Sequence, residues 1–189
     1  MSENRTNAER IAETQQRLNN DENVWIATAS LGGVPHLVPL SLAWDGEAIL
    51  VATRTNTPTV RNALASGRAR ATLDSAADVV LLDTDTAVTP FTHAGADQVA
   101  AFVARVGWDP RNQDGEWSLL RLTPRRVQAW NSVSETEGRT IMRRRRVDRL
   151  NATSTLIDIG RSQPHLPNGD KRAHENSLPE MRSLVMSSR

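Results

Sequence analysis

The chain has 189 residues, enough for one domain with a sizeable core and too few to suggest two. Its formal net charge of +1 supplies no global field to recruit nucleic acid or an anionic membrane surface. With no cysteine, disulfides, thiolate catalysis and cysteine metal sites are excluded, and with no tyrosine one acid/base group is missing as well. Hydrophobic residues make up only 38% of the chain, and the deficit lies at its ends, since most strand-like runs fall between residue 24 and about residue 130. No apolar stretch is long enough to span a bilayer, and the polar start MSENRTNAER lacks the apolar core of a signal peptide. The expectation is a soluble, cytoplasmic protein.

Asn7 to Leu18 places Ala8, Ile11, Ala12, Gln15 and Leu18 at helical spacing, so residues 1–22 are expected to carry a short amphipathic helix packed on the body. Val24 to Ser30 is a strand, closed by the glycines of Leu31-Gly32-Gly33. Val34 to Trp44 continues as a long strand. Val34, His36, Val38, Leu40, Leu42 and Trp44 share one alternation, and Pro35 and Pro39 fall on the other. Two prolines four positions apart on one face of the alternation remove ladder donors on the same side, which predicts a sheet edge, a bulge or a surface against which something else packs. Asp45-Gly46 is a hairpin turn.

The next stretch, Ala48 to Asn62, reads AILVATRTNTPTVRN. Its apolar run is a buried strand, and Thr57-Pro58 starts a helix, with threonine as N-cap and proline at the first helical position. Orphan backbone N–H groups, the positive end of a helix dipole, threonine hydroxyls and the guanidiniums of Arg54 and Arg61 are expected at one place, a combination suited to phosphate. A strand, a capped helix and two solvated arginines also occur in proteins that bind nothing, and this is not a glycine-rich phosphate loop.

The helix should end near Gly67. Strands follow at Arg70 to Asp74 and Asp78 to Val88, then a helix from Gly95 to Val106 closed by Gly107, and a turn-rich Trp108 to Asn112. A sixth strand runs from Trp117 to Thr123. After a turn at Thr123-Pro124-Arg125-Arg126, a seventh begins at Val127 and reaches Trp130. Antiparallel strands at short spacing with a few helices predict a small barrel or rolled sheet.

Among the remaining candidates, His36 shares its parity with apolar neighbours and is expected to be packed and satisfied. His93, His165 and His174 are scattered, and no spacing suggests a metal. Asp83-Thr84-Asp85 is expected to be a solvated strand end, and Trp25, Trp44, Trp108 and Trp117 to pack in the core or an interface. The run Arg143 to Arg146 lacks interleaved aromatics and is read as a solvated charge cluster, without nucleic-acid binding.

The segments WIATASLGGVPHLVPLSLAWDGEAILVATR, TPTVRNALASGRARATLD, DVVLLD, GWDPRN, LLRLTPRRVQAW and EGRTIMR, in this order over about residues 24–143, resemble the pyridoxamine 5′-phosphate oxidase-like superfamily. They look most like its actinobacterial-type flavin and deazaflavin members. The resemblance implies a mainly β fold with flanking helices, an antiparallel split β-barrel over residues 23–143, assembled as a homodimer with the cofactor at the subunit interface. FMN is the cofactor it implies first, with the deazaflavin coenzyme F-420 as the alternative, for which Arg68, Arg70, Arg125 and Arg126 would offer a basic groove. It implies an oxidoreductase acting on a small molecule, or else a non-catalytic flavin- or haem-binding carrier or sensor. By the same resemblance Thr53, Arg54, Thr57, Thr59 and Arg61 hold the cofactor phosphate with Asn62 close by. Val38, Pro39, Leu40 and Ser41 run beside the ring, and Trp130 reaches it from the partner subunit. The chain departs from the oxidase itself, whose serine–arginine–lysine run is replaced here by Thr57-Pro58-Thr59, so vitamin B6 synthesis is not expected.

Residues 144–189 are expected to form a polar, non-globular extension. Family members end soon after a segment like EGRTIMR with a glycine and a tryptophan. The codons CGG CGG GTG GAT CGC CTG AAC for Arg145 to Asn151, read one base later, would give Gly-Gly-Trp-Ile-Ala and a stop. A frameshifted extension is therefore a hypothesis that the coding DNA tests.

Overall fold

The computed structural model describes residues 4–144. The expected extension and its frameshift hypothesis lie, apart from Arg144, outside the described residues. Helix α1 (Asn7–Asn20) is followed by strands β1 (Asn23–Ala29), β2 (Pro35–Ser41), β3 (Ala43–Trp44) and β4 (Ile49–Arg54). Then come α2 (Pro58–Ser66), β5 (Arg68–Leu73), β6 (Val79–Pro90), α3 (Ala96–Val106), β7 (Trp117–Trp130) and β8 (Thr140–Arg143). All strand pairings are antiparallel, in the order β2-β1-β5-β6-β7-β4-β3, with β8 beside β7. The sheet curls so that β2, at one end, approaches β4, next to the other end, without pairing with it. The fold is a mainly β, antiparallel split barrel with flanking helices.

Local chemistry accounts for most boundaries. Thr6 and Glu9 form a reciprocal capping box at the start of α1. The strand expected over Val34 to Trp44 is broken at Leu42, where the chain leaves β1 and turns to pair with β4. The apolar run of β4 is buried on both faces. Ile49 and Val51 enter the barrel core with Val24, Ile26, Leu82 and Leu122, while Leu50 and Ala52 enter a second cluster under α3. That outer cluster is built on Phe91, Phe102, Trp108 and Trp117, whose rings meet edge-to-face at centroid separations of 5.6, 5.8 and 5.1 Å.

The expected turn at Thr123 to Arg126 is not a turn. β7 runs unbroken from Trp117 to Trp130, and the register against β6 slips between Asp83 and Thr84, opposite Arg126 and Pro124. Arg125 is the extra residue of a bulge, which accommodates a proline that cannot serve a regular ladder. β8 was not foreseen as a strand.

Candidate functional site at the start of α2

The strand-to-helix junction is built as its sequence requires. Thr57 has extended backbone angles and its Oγ1 accepts from the Val60 N–H (3.4 Å), Pro58 opens the helix, and the Arg61 N–H closes the first intrahelical bond to the Thr57 carbonyl (3.1 Å). The Thr59 N–H, in the first turn, is one of the donors an α-helix leaves without an intrahelical acceptor. Gly67 ends the helix in the left-handed conformation at φ 64°.

Two hydrogen bonds fix this helix to the barrel. The Asn62 amide donates to Thr28 Oγ1 (3.1 Å), and Thr59 Oγ1 lies 3.1 Å from His36 Nε2, with Thr59 and Asn62 both buried. Asn62 is therefore a tether between α2 and β1, and His36 is packed and satisfied as expected. His36 also brings β2 against the helix. Neither Thr28 nor His36 was anticipated as a partner of α2; the only trace in the sequence is that both are polar positions on otherwise apolar inward-facing alternations.

The two arginines diverge. Arg61 is exposed and folds back to donate to the Asn56 carbonyl (2.6 Å), which keeps its charge over the helix start. Arg54 instead lies over the Trp117 ring, 4.5 Å from its centroid, and donates to the Asp114 carbonyl. Its side chain occupies the space beside Gly115, where any Cβ would collide with it. Strand alternation decides this, since Arg54 shares the outward face of β4 with Leu50 and Ala52. Thr53 lies on the inward face with Ile49 and Val51, half-buried.

On β2, the Ser30 N–H donates to the Val34 carbonyl (3.0 Å) and the Leu42 N–H to the Glu22 carbonyl (2.8 Å), in register with the β1–β2 pairing. Even-numbered residues of β2 therefore carry the ladder, and the backbone groups of Pro35, Leu37, Pro39 and Ser41 turn outward. Among the described residues no strand pairs with this side of β2, so both prolines sit on a free edge. The side chains of Val38, Leu40 and Ser41 are half-buried and that of Pro39 is exposed. Trp130 lies thirteen residues beyond Trp117 on β7, up to ~40 Å away along an extended strand, so one chain does not bring it to the α2 start. It packs near Arg139, whose guanidinium is 5.5 Å from the ring centroid.

Arg68, Arg70, Arg125 and Arg126 do gather on one outer face. Asp83 and Asp85 are interleaved with them, Asp83 with Arg70 (2.8 Å) and Arg126 (2.6 Å), and Asp85 with Arg68 and Arg125 (3.8 Å). Burial works against the Asp83 charge, but hydrogen bonds from Arg70 and Arg126 prevail and hold the carboxyl below its ordinary range. Four guanidiniums against two carboxylates leave the face cationic. Arg68, Arg70 and Arg125 line an open groove of about 710 Å³ there. Among the described residues no three histidine, cysteine or acidic side chains cluster as a metal site would need, and no helix is long and apolar enough to cross a membrane.

No family model matches the chain, and no curated protein matches it in sequence. Solved structures do match in fold. A putative pyridoxamine 5′-phosphate oxidase from Listeria innocua is 10% identical, with a TM-score of 0.53 over 64% of this chain and 98% of its own. HutZ, a haem storage protein from Vibrio cholerae, is 15% identical, with a TM-score of 0.52 over 61% and 89%. A haem-binding protein from Mycobacterium smegmatis is 19% identical, with a TM-score of 0.55 over 70% of this chain and 57% of its own. With the strand order described above, these likenesses establish that the chain has the pyridoxamine 5′-phosphate oxidase-like split β-barrel fold.

Proposed function

We propose that the protein is an oxidoreductase that binds FMN between the two subunits of a homodimer and acts on a small-molecule substrate in the cytoplasm. The observation that carries the proposal is the α2 start, where an N-capped helix, an orphan Thr59 N–H and the doubled-back Arg61 lie at the end of a strand and against β2. This donor set suits a phosphate monoester. The open edge of β2 supports the placement of a ring along Val38, Pro39, Leu40 and Ser41, because outward carbonyls of Pro35, Leu37 and Pro39 are available to a planar, hydrogen-bonding ligand. FMN supplies the hydride chemistry once bound, and the chain supplies binding and orientation. Thr57, Thr59 and Arg61 hold the phosphate in this reading, with Thr53 beside them. Asn62 acts through its tether to Thr28, Arg54 shapes the adjoining 114–117 loop, and Trp130 contributes from the partner subunit. The Thr57-Pro58-Thr59 sequence gives no support to vitamin B6 synthesis.

The arginine face favours a second reading, in which the deazaflavin coenzyme F-420 replaces FMN and its acidic tail lies against Arg68, Arg70 and Arg125. The haem proteins of like fold favour a third, a non-catalytic carrier or sensor. The visible spectrum of freshly purified protein, followed by mass analysis of the released ligand, separates the three. A colourless protein that takes up none of these cofactors refutes them together.

A further inference from the structure

β7 changes partner partway along its length. Up to Leu122 it pairs with β4 and from Arg126 with β8, so among the described residues Thr123 and Pro124 have β6 on one side and no strand on the other. Helix α1 bridges that gap and leaves a cavity of about 530 Å³ beneath it. Small-molecule sites typically span roughly 300–1,000 Å³, so the size suits a ligand rather than a packing defect.

The lining is chemically divided. Leu18, Trp44, Leu82, Val127 and Ile141 make apolar walls. Thr14 lines the cavity from α1, and the residue is only 5% exposed. Its hydroxyl offers a donor to a polar group held in the cavity. At the rim lie Glu47, Arg143 and Arg144. The Glu47 carboxylate is taken by Arg121 (3.2 Å), whereas neither rim guanidinium has a carboxylate partner among the described residues. The opening is thus cationic over an apolar interior.

We infer that this cavity binds a medium-chain alkyl carboxylate. The alkyl chain lies against the apolar walls, and the carboxylate accepts hydrogen bonds from Thr14 and the rim arginines. The site is separate from the α2 junction, which closes the barrel at the far end of β1, and it stands whether or not FMN binds there.

Isothermal titration of the full chain with decanoate tests the inference, with decanol as the uncharged control. Saturable one-to-one binding of decanoate is expected, with decanol binding more weakly. The double change Arg143→Glu and Arg144→Glu affects exposed side chains and should weaken decanoate about tenfold, as loss of charge-assisted contacts, while leaving decanol unaffected. Ile11→Trp, on the half-exposed side of α1, should fill the cavity and abolish binding of both. Thr14→Val should weaken decanoate several-fold. The inference is overturned if the full chain shows no saturable binding, or if the charge reversal and Ile11→Trp both leave decanoate affinity unchanged.

Discussion

Glu135 is the carboxylate whose removal should tell most about how α1 is held. It sits in the short turn after β7, 5% exposed, and accepts from the Arg5 backbone N–H (3.0 Å), Arg5 Nε (3.1 Å), Arg5 Nη2 (2.9 Å) and the Asn131 N–H (2.9 Å). Arg5 is shared with Glu13 and with Asp78 (3.0 Å), so one guanidinium ties the chain before α1 to two distant turns. Hydrogen bonds from Arg5 outweigh burial and bring the Glu135 carboxyl from 4.5 down to about 2. At full strength that difference is worth at most ~3 kcal/mol, and solvent screening among the partly exposed partners reduces it to about 1–2 kcal/mol. Because the folded-state value is depressed, the contribution is present above about pH 4.5 and is lost as pH falls toward about 2. Glu135→Gln keeps the shape and removes the charge. Urea unfolding should show it less stable than the parent by about 1–2 kcal/mol at neutral pH, with the two proteins converging on acidification. Equal stability at neutral pH, or parallel pH profiles between about pH 5 and 2.5, would refute the reasoning.

Arg61→Ala should weaken FMN by about tenfold, the loss of one charge-assisted contact, read by flavin fluorescence titration. Arg54→Ala should leave FMN affinity within about threefold, because its guanidinium is engaged by Trp117 and Asp114. It should instead loosen the 114–117 loop, reducing near-ultraviolet circular dichroism at a cost of about 0.5–1 kcal/mol in stability. Equal losses of FMN affinity in the two variants would contradict that division of roles. Gly67→Ala imposes a Cβ at φ 64° and should cost about 1 kcal/mol in unfolding measurements; a stabilised variant would mean that α2 ends otherwise.

What could be read from the sequence was what neighbouring residues decide among themselves. Thr57-Pro58 and Gly67 bracket α2, and Asp45-Gly46 and Leu31-Gly32-Gly33 fold their hairpins, because caps and turns are chemistry over four or five residues. The two prolines of β2 narrowed that side to an edge, a bulge or a packing surface, because each removes a donor from a fixed side. Partner choice was out of reach. Nothing near Pro124 says that β7 has a bulge there rather than an end, since that depends on β6 continuing alongside. Arg54 and Arg61 look equivalent as letters, yet strand alternation turns one toward Trp117 while a helical turn returns the other to Asn56. The Arg5–Glu135 pair joins positions 130 residues apart, and no local pattern marks either member.

The free edge of β2 has a consequence for how this protein avoids open-ended strand pairing. An unpaired strand ordinarily offers an incoming strand alternating donors and acceptors, and so seeds uncontrolled growth of sheet upon sheet. Here Pro35 and Pro39 delete every second outward donor and leave the carbonyls standing. Opposite Pro35 and Pro39 the carbonyls of a foreign strand find no donor, while a ligand bearing several N–H groups meets a row of complementary partners. The same two residues that keep the sheet finite make its border selective for donors.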